Sequence, residues 1–427
     1  MSKSHLRRRW MVFAAVAVAG VMGIAYLATA ASATRDATIT LRVSLFGDFG
    51  YHDLYQQYMN AHPNVEIKEE IQDYGTHHTQ LAQRLATGAG AADIEAIEVG
   101  FIPQFTAQST RFVDLRQYGA TALKGRWLPW KYQQAVARSG QVIGLGTDVG
   151  SLAICYRKDL FAKAGLPTNR DKVSKLWPTW SGYIAAGKRF AAHAPRGVRF
   201  FDSGSNVYNA MIAQVNPAYY DAGGRLIAMT NPRVKAAWSM VIRGWQQHED
   251  AGLAAFSTTW NTGFKTGKFA TVTCPAWMMG YIQGQAPATK GKWDIAAVPG
   301  GGGNWGGSFL AVPTQSKNQA AAADLVKFLT SPAAELYVFK QTGNLPSQPA
   351  LLKSSAVQSF RNPFFSNAPV GKIFATSALR LGPQILGPHQ GDIQNAVSSA
   401  FQRVEQKKQT PAKSWEQFLK DVKNVAG

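Results

Sequence analysis

Aromatic side chains in irregular segments are the residues of this sequence best suited to binding chemistry. Trp180 ends the run Leu-Trp-Pro-Thr-Trp, Trp277 follows Cys-Pro-Ala, and Trp305 stands between an asparagine and two glycines. The apolar face of a sugar ring stacks on such aromatic planes, while its hydroxyl groups hydrogen-bond to carboxylates and amides. Tryptophan together with Asp or Asn in one cleft therefore suits a saccharide. For any single tryptophan, packing in a hydrophobic core is the alternative interpretation.

The sequence contains none of the short motifs that mark common catalytic or metal centres. It has no HExxH, GxSxG, GxxxxGK[ST] or paired-cysteine pattern, so we expect no catalytic residue and no metal site. Gly301, Gly303 and Gly306 do match GxGxxG, but in a dinucleotide site this pattern opens a helix. Here it leads into residues 308–313, which read as a strand, so we expect no cofactor.

Alternating strands and helices must position these residues. Residues 39–46 alternate apolar and polar side chains and predict a strand that ends at a Gly-Asp-Phe-Gly turn. Further strands are predicted at 65–71, 94–99 and 141–145, with helices between them. This rhythm is typical of a largely parallel sheet covered by helices, in which ligands bind at the carboxyl ends of the strands.

A second α/β region runs from about residue 151 to 297, and the rest of the chain is mainly helical. Its predicted strands are 270–274 and 294–298, and the late helices are 319–329, 333–340, 393–404 and 413–422. No Ser-rich or Pro-rich linker separates the regions, so we predict two lobes joined by several chain crossings. The expected lobes are 34–147 with about 299–343, and 148–298 with about 344–427.

The first 33 residues are typical of an export signal. Basic residues precede an apolar run that extends to Leu27, and Ala31-Ser32-Ala33 has the small-x-small form that signal peptidase cuts. We predict cleavage before Thr34 and an extracellular or cell-envelope location, with an uncleaved anchor as the alternative. No cysteine lies near the cut to carry a lipid, and the Sec and twin-arginine routes are both left open.

The chain is strongly basic. Its formal charge of +20 falls to +16 when the four basic residues of the signal are removed. An exported basic protein meets the anionic cell envelope more readily than nucleic acid, so we expect an envelope partner and no nucleic-acid partner. The basic residues are dispersed and predict a solvated surface.

Several local patterns, in their order and spacing, resemble the family 1 extracellular solute-binding proteins of ABC sugar importers, which include maltose-binding and cellobiose-binding proteins. The resemblance covers essentially the whole chain after the signal. The residues that carry it are Gly47-Asp48-Phe49-Gly50-Tyr51, His62-Pro63-Asn64-Val65, Ala92-Asp93-Ile94 leading to Glu98, Tyr156-Arg157-Lys158-Asp159-Leu160-Phe161, Cys274-Pro275-Ala276-Trp277, Trp305-Gly306-Gly307-Ser308 and Thr342-Gly343-Asn344-Leu345-Pro346.

The resemblance implies an α/β two-lobe fold of the periplasmic-binding-protein (Venus flytrap) type, with a ligand cleft between the lobes. By position, Asp48 resembles the carboxylate that accepts sugar hydroxyls, and Trp277 resembles the principal stacking platform. Phe49 stands where maltose-binding relatives have a lysine, which argues against a malto-oligosaccharide. The other candidate substrate-binding residues are Glu98 at the end of a strand, Asp148 at a lobe crossing, Trp180, Tyr281 and Trp305.

Cys155 and Cys274 are the two cysteines of the chain. Two cysteines in an exported protein fit one structural disulfide, and two separately buried thiols are the alternative.

The sequence therefore predicts a monomeric, non-catalytic binding subunit that captures a neutral di- or oligosaccharide, with β-linked glucose favoured, and delivers it to membrane permease subunits. A glycoside hydrolase with paired carboxylates in the same cleft is the alternative from another class, and it requires two carboxyl groups about 5 to 10 Å apart. A binder of peptides or anions, which the basic charge would suit, is a third possibility and predicts arginines in the cleft.

Overall fold

A computed structural model describes residues 38–426, so the predicted signal at 1–33 and its cleavage site lie outside the described residues. The strands of the described chain are β1 (Ile39–Leu45), β2 (Val65–Ile71), β3 (Ile94–Glu98), β4 (Gly144–Gly146), β5 (Leu152–Arg157), β6 (Arg199–Phe201), β7 (Phe269–Pro275), β8 (Trp293–Ala296) and β9 (Ser308–Ala311).

Helices occupy most of the chain between and after these strands. They are α1 (His52–Ala61), α2 (Tyr74–Thr87), α3 (Ile102–Thr106), α4 (Pro129–Gln134), α5 (Lys158–Lys163), α6 (Arg170–Ser174), α7 (Trp180–His193), α8 (Gly204–Ile212), α9 (Pro232–Gln246), α10 (Thr258–Thr266), α11 (Met278–Gln285), α12 (Gln319–Leu329), α13 (Pro332–Thr342), α14 (Pro349–Lys353), α15 (Ser355–Gln358), α16 (Val370–Ala378), α17 (Gln390–Glu405) and α18 (Pro411–Ala426).

The strands form two separate sheets. The first has the order β2-β1-β3-β9-β4, and the second has the order β6-β7-β5-β8. Strand β1 is parallel to β2 and β3, as predicted, but β9 is antiparallel to β3 and β4, and β5 is antiparallel to β7 and β8. The prediction of a largely parallel arrangement is wrong at these two strands. Each of them follows directly after a strand of the other sheet, so no crossover helix turns the chain back to a parallel direction.

Local sequence signals explain where the elements around the first sheet begin and end. Leu41, Val43 and Leu45 of β1 are fully buried, as their alternation with polar residues indicates. Helix α1 ends at Ala61 because the next two residues are His62 and Pro63, and proline disfavours the helical conformation in the residue before it. Helix α2 begins where the Asp73 side chain accepts a hydrogen bond from the backbone of Thr76.

Three crossing segments pass between the two halves of the fold: the first joins β4 to β5, the second joins β8 to β9, and the third joins α13 to α14. Val149 in the first segment forms a β-bridge with Leu345 in the third, and Ser151 forms one with Asn304 in the second. Gly150 lies so close to the second segment that a Cβ atom there would be 1.8 Å from the carbonyl oxygen of Trp305. Only glycine fits this approach. The lobe limits derived from the sequence stay a prediction.

The predicted disulfide is present between β5 and β7 of the second sheet. Cys155 and Cys274 are bonded, and their Cα atoms are 5.4 Å apart. Both residues are fully buried, in a cluster that also contains Trp260, Phe264 and Trp293.

Glu249 is a buried carboxylate near the second sheet, and we expect it to make the free energy of unfolding of the protein depend on pH. Its side chain is 0% exposed, and neither carboxylate oxygen has a hydrogen-bond partner among the described residues. Burial raises the pKa of Glu249 to about 9. In the unfolded chain the pKa of a glutamate is about 4.3. At a pH between this pKa and the higher pKa of the folded state, the unfolded chain has released the proton while the folded protein keeps it. The free energy of unfolding therefore falls as the pH rises across this range.

We therefore expect Glu249→Gln to stabilise the protein at alkaline pH. The gain in free energy of unfolding is about 1 kcal/mol at about pH 5 and on the order of 2 to 5 kcal/mol at about pH 8.5. Thermal melts across this range measure it, with Glu66→Gln, an exposed carboxylate on β2, as the matched control. A difference between the Glu249 variant and the unaltered protein that does not change with pH would contradict the expectation.

Candidate functional site

A cavity lies where the end of the first sheet faces elements packed on the second sheet. The space between its walls is about 500 Å³ when the part open to solvent is included, and the room for water-sized molecules in it is about 40 Å³. One wall is the end of β3 with Val99 and Gly100 behind it. The opposite walls are the end of α8 with residues 212–218, the crossing at 304–306, and residues 384–394 at the start of α17.

Neutral amide side chains dominate the polar lining of this cavity. They are Asn209, Asn216, Asn304, Gln384, Gln390 and Gln394. The carbonyl oxygens of the Asn209 and Gln390 side chains are buried and have no hydrogen-bond partner among the described residues. A buried polar atom without a partner is costly, so these two oxygens are available to a donor on a ligand. An amide both donates and accepts hydrogen bonds, which matches a hydroxyl-rich, uncharged molecule.

Asn304 fixes one wall of the cavity. Its side-chain oxygen accepts a hydrogen bond from the backbone of Gly150, and its side-chain nitrogen donates to Gln384 and to the carbonyl of Gly306. Gln384 in turn donates to the carbonyl of Asn304. The amides therefore connect two of the crossing segments to the late part of the chain.

Glu98 is the one acidic side chain lining the cavity in the described part of the chain. It ends β3, as predicted, and is 8% exposed. Its carboxylate accepts hydrogen bonds from the Tyr74 hydroxyl at 3.0 Å and from the Gly100 backbone at 2.6 Å. Burial raises the pKa of Glu98 to about 7, although these two bonds and the Lys131 charge oppose the shift.

Two predicted tryptophans meet at the cavity. Trp305 lines it, and the Nε1 of Trp277 donates a hydrogen bond to the Trp305 carbonyl at 3.1 Å. Their ring centroids are 5.8 Å apart and the rings are nearly perpendicular. A Cβ atom at residue Gly306 would be 2.6 Å from the Trp277 Nε1, so the indole packs directly on this glycine backbone. Tyr281, one turn further along the chain, donates its hydroxyl to Asn261.

Of the eight predicted site residues, Glu98 and Trp305 line the cavity, and Asp148, Trp277 and Tyr281 are not part of its lining. The remaining three, Asp48, Phe49 and Trp180, also lie outside the lining. Asp48 is exposed, and its carboxylate accepts a hydrogen bond from the Gly50 backbone. Phe49 is only 8% exposed and packs in the core of the first sheet, at 5.1 Å from the Phe46 ring centroid. Trp180 packs on the core of the second sheet and donates its Nε1 to the Gln214 side chain.

Asp148 is buried beside the cavity and ties two crossing segments together. Its Oδ1 accepts hydrogen bonds from the Ser308 backbone and the Thr147 hydroxyl. Burial raises the pKa of Asp148, and the charge of Lys131 opposes this. Lys131 is itself fully buried, with its Nζ 3.7 Å from the centroid of the Phe309 ring, and burial lowers its pKa to about 8. Asp148 therefore ties the segment between β4 and β5 to the first residue of β9.

The amide side chains and Lys131 were not found by sequence reasoning. Gln384, Gln390 and Gln394 lie far along the chain from the predicted strand ends, in no motif. The one available signal was the Gly-rich and Pro-rich composition of residues 381–388 just before α17, which is typical of an irregular segment. Lys131 had no signal, because a lysine in a predicted helix is ordinarily placed at the surface.

The two sheets, the three crossings and the cavity between them define an α/β two-lobe binding protein of the periplasmic-binding-protein type. The chain belongs to the bacterial extracellular solute-binding protein family, whose family model matches residues 53–363. It is similar to a crystal structure described as an extracellular solute-binding protein of family 1, with 44% identity and a TM-score of 0.80 over 91% of this chain and 100% of that one.

More distant relatives share the fold or part of the sequence. An arabinooligosaccharide-binding protein of Bacillus subtilis (strain 168) is 28% identical over 295 residues, which is 65% of this chain and 65% of that protein. The match thus spans about two thirds of the relative's length. A binding protein of B. animalis subsp. lactis Bl-04, solved in complex with beta-1,6-galactobiose, is 22% identical with a TM-score of 0.76 over 90% of this chain and 97% of that one.

Two further findings concern metal-ligating side chains and long apolar helices. Within residues 38–426, no group of three His, Cys, Asp or Glu side chains is placed to hold a metal ion. No helix in the same residues has both the length and the apolar composition needed to cross a membrane.

Proposed function

We propose that this protein is the substrate-binding subunit of an ABC transporter, and that it captures a neutral di- or oligosaccharide for delivery to membrane permease subunits. The observation that carries the proposal is the cavity between the two sheets, with six amide side chains and Trp305 in its lining. Its neutral amide donors and acceptors suit sugar hydroxyls, and its aromatic wall suits the apolar face of a sugar ring.

The names of related proteins support a carbohydrate ligand. The relatives include arabinooligosaccharide-binding proteins and a lactose-binding protein of Rhizobium radiobacter, which is 23% identical over 79% of this chain and 85% of that protein. These names favour arabinose- or galactose-containing oligosaccharides over the β-linked glucose that the sequence patterns favoured. All three classes belong in a test of the ligand.

Closure of the lobes around the sugar provides the selectivity. The unpartnered oxygens of Asn209 and Gln390 gain donors from the hydroxyls of a matching sugar. A sugar with a hydroxyl in the wrong place leaves at least one of them unpaired in a closed, dry cavity, at a cost of about 1 to 3 kcal/mol for each unpaired group. In this proposal the protein selects its ligand by the position of hydroxyl groups and does no chemistry on it.

The glycoside hydrolase alternative lacks support at the cavity. Two carboxylates flanking a bond are required, whereas Glu98 is the one acidic residue among the described residues of the lining. Asp148 is engaged with the Ser308 backbone and the Thr147 hydroxyl, and Asp48 lies outside the lining. We expect no product when the protein is incubated with oligosaccharides.

Export and assembly complete the proposal. The segment 1–33 directs the chain across the membrane, and the basic surface of the exported protein holds it at the anionic envelope. The lobes are 34–147 with about 299–343, and 148–298 with about 344–427, joined at the crossings. The exported protein acts as a monomer.

A thermal-shift screen tests the proposed function. The panel contains arabino-oligosaccharides, lactose, β-1,6-galactobiose, cellobiose and maltose, with free glutamate and a tripeptide as non-sugar ligands. A sugar at 100 times its dissociation constant adds about 2.7 kcal/mol to the free energy of unfolding. Stabilisation by the peptide or glutamate, with none by any sugar, would contradict the proposal.

We expect the affinity for the sugar to be nearly independent of salt. The cavity is lined mainly by neutral side chains, and salt screens interactions between charges. Calorimetric titration with the sugar that shifts the melt most should give dissociation constants within about twofold at 0.05 M and 0.5 M salt. A tenfold loss of affinity at the higher concentration would instead indicate an anionic ligand.

A further inference from the structure

Phe256 is an exposed aromatic side chain next to the tryptophans of the candidate site. It is 50% exposed, and the other large hydrophobic side chains exposed in the described chain are Ile71 and Met229. Its ring is 6.2 Å from the Trp277 ring, centroid to centroid, with an angle of 24° between the two planes. The Phe256 ring centroid is 5.5 Å from that of Tyr281, with the rings nearly perpendicular, and 5.3 Å from that of Trp260, with the rings tilted.

The backbone of Phe256 has an unusual conformation. Its φ is +66°, in the left-handed region that a bulky residue seldom adopts. The next residue, Ser257, caps α10 by accepting a hydrogen bond from the Trp260 backbone. Strained residues of this kind persist where the surrounding structure holds them, and they concentrate at ligand-binding segments. With this backbone conformation, half of the Phe256 side chain is exposed to solvent beside Trp277.

The aromatic rings continue from the cavity to the surface. Trp305 lines the cavity, Trp277 donates a hydrogen bond to the Trp305 carbonyl, and the half-exposed ring of Phe256 lies almost parallel to Trp277. Adjacent rings in this series are about 6 Å apart, at 5.8 Å and 6.2 Å between centroids. Neither Trp277 nor Phe256 belongs to the lining of the cavity, so a ligand has to extend beyond the cavity to contact Phe256.

We propose that Phe256 forms an outer stacking subsite, so that the protein binds oligosaccharides of three or more units more tightly than disaccharides. This inference rests on the proposed function and specifies the chain length of its ligand. The exposed ring of Phe256 covers the apolar face of an outer sugar unit, which removes both surfaces from water. The sugar unit therefore covers an apolar surface that is exposed in the free protein.

Calorimetric titration with sugars of defined length tests this inference. The probes are arabino-, β-1,6-galacto- and cello-oligosaccharides of two, three and four units. Phe256→Asn removes the ring and keeps a residue that tolerates the left-handed backbone. Phe256→Trp keeps an aromatic plane. Met229→Ala, at another exposed hydrophobic residue, is the matched control.

For the series that binds, we expect Phe256→Asn to weaken binding of the three- and four-unit sugars by about 5- to 20-fold and to leave the two-unit sugar unchanged. Phe256→Trp and Met229→Ala keep the preference for longer sugars. Equal loss at every length, no loss at any length, or an unaltered protein that binds two units as tightly as four would overturn the inference alone. Absence of binding by every series would contradict the proposed function and the inference together.

Discussion

Replacing Trp277 with alanine is expected to weaken binding of the cognate sugar by roughly 10- to 100-fold. The indole lies beside the cavity between Trp305 and Phe256, with its Nε1 held by the Trp305 carbonyl and its edge packed on Gly306. It is only partly buried in the unliganded protein, so part of its surface remains for a ligand to cover. Burying a sugar face on that surface contributes about 1 to 3 kcal/mol, which corresponds to this loss.

Calorimetric titration with the sugar identified by thermal shift measures this effect. Trp277→Phe keeps a flat apolar surface and loses the hydrogen bond to Trp305. Its affinity should therefore lie between that of the unaltered protein and that of Trp277→Ala. Trp415→Ala is the matched control, because Trp415 is also a partly buried tryptophan but packs on Trp238 in α9. If Trp277→Ala bound sugar as well as the unaltered protein, the stacking role would be refuted. A large fall in its unliganded melting temperature would instead assign Trp277 to core packing.

Removing the disulfide is expected to cost about 4 to 5 kcal/mol of stability, with the melting temperature falling on the order of 5 °C. The bond joins residues 119 positions apart, so its loss releases a long loop in the unfolded chain. Both cysteines are fully buried between β5 and β7. The double variant Cys155→Ala with Cys274→Ala removes the bond without burying a hydroxyl group or leaving a single reactive thiol.

Mass spectrometry of the unreduced protein, alkylated after denaturation, supplies the control for this prediction. The unaltered chain should take up no alkyl group before reduction and two after it. Two alkylated cysteines before reduction, or a double variant that melts with the unaltered protein, would contradict the expected stabilisation. Sugar affinity at low temperature should be nearly the same in both proteins, because neither cysteine lines the cavity.

The sequence by itself determined the elements whose signals are local. Strand β2 and helix α12 have the bounds predicted from apolar patterning, since the periodicity lies within each element and the stop signals lie in or directly after it. Strand β4 is displaced and shorter, at Gly144–Gly146, because its residues are held by pairing with β9, which lies far along the chain. The disulfide, the family and the two-lobe fold could also be inferred before the structure, since each rests on residue identity and order.

The tertiary structure alone decided which side chains share the candidate site. Glu98, Trp305 and Gln390 come from a strand end, a crossing segment and a late helix, and no sequence pattern relates their positions. Phe49 has the residue type and the position after a strand that are expected of a binding residue, but the packing of the first sheet buries it. The directions of β5 and β9 were likewise set by the crossings between sheets. Contacts between residues hundreds of positions apart depend on how the whole chain packs, and local periodicity carries no information about them.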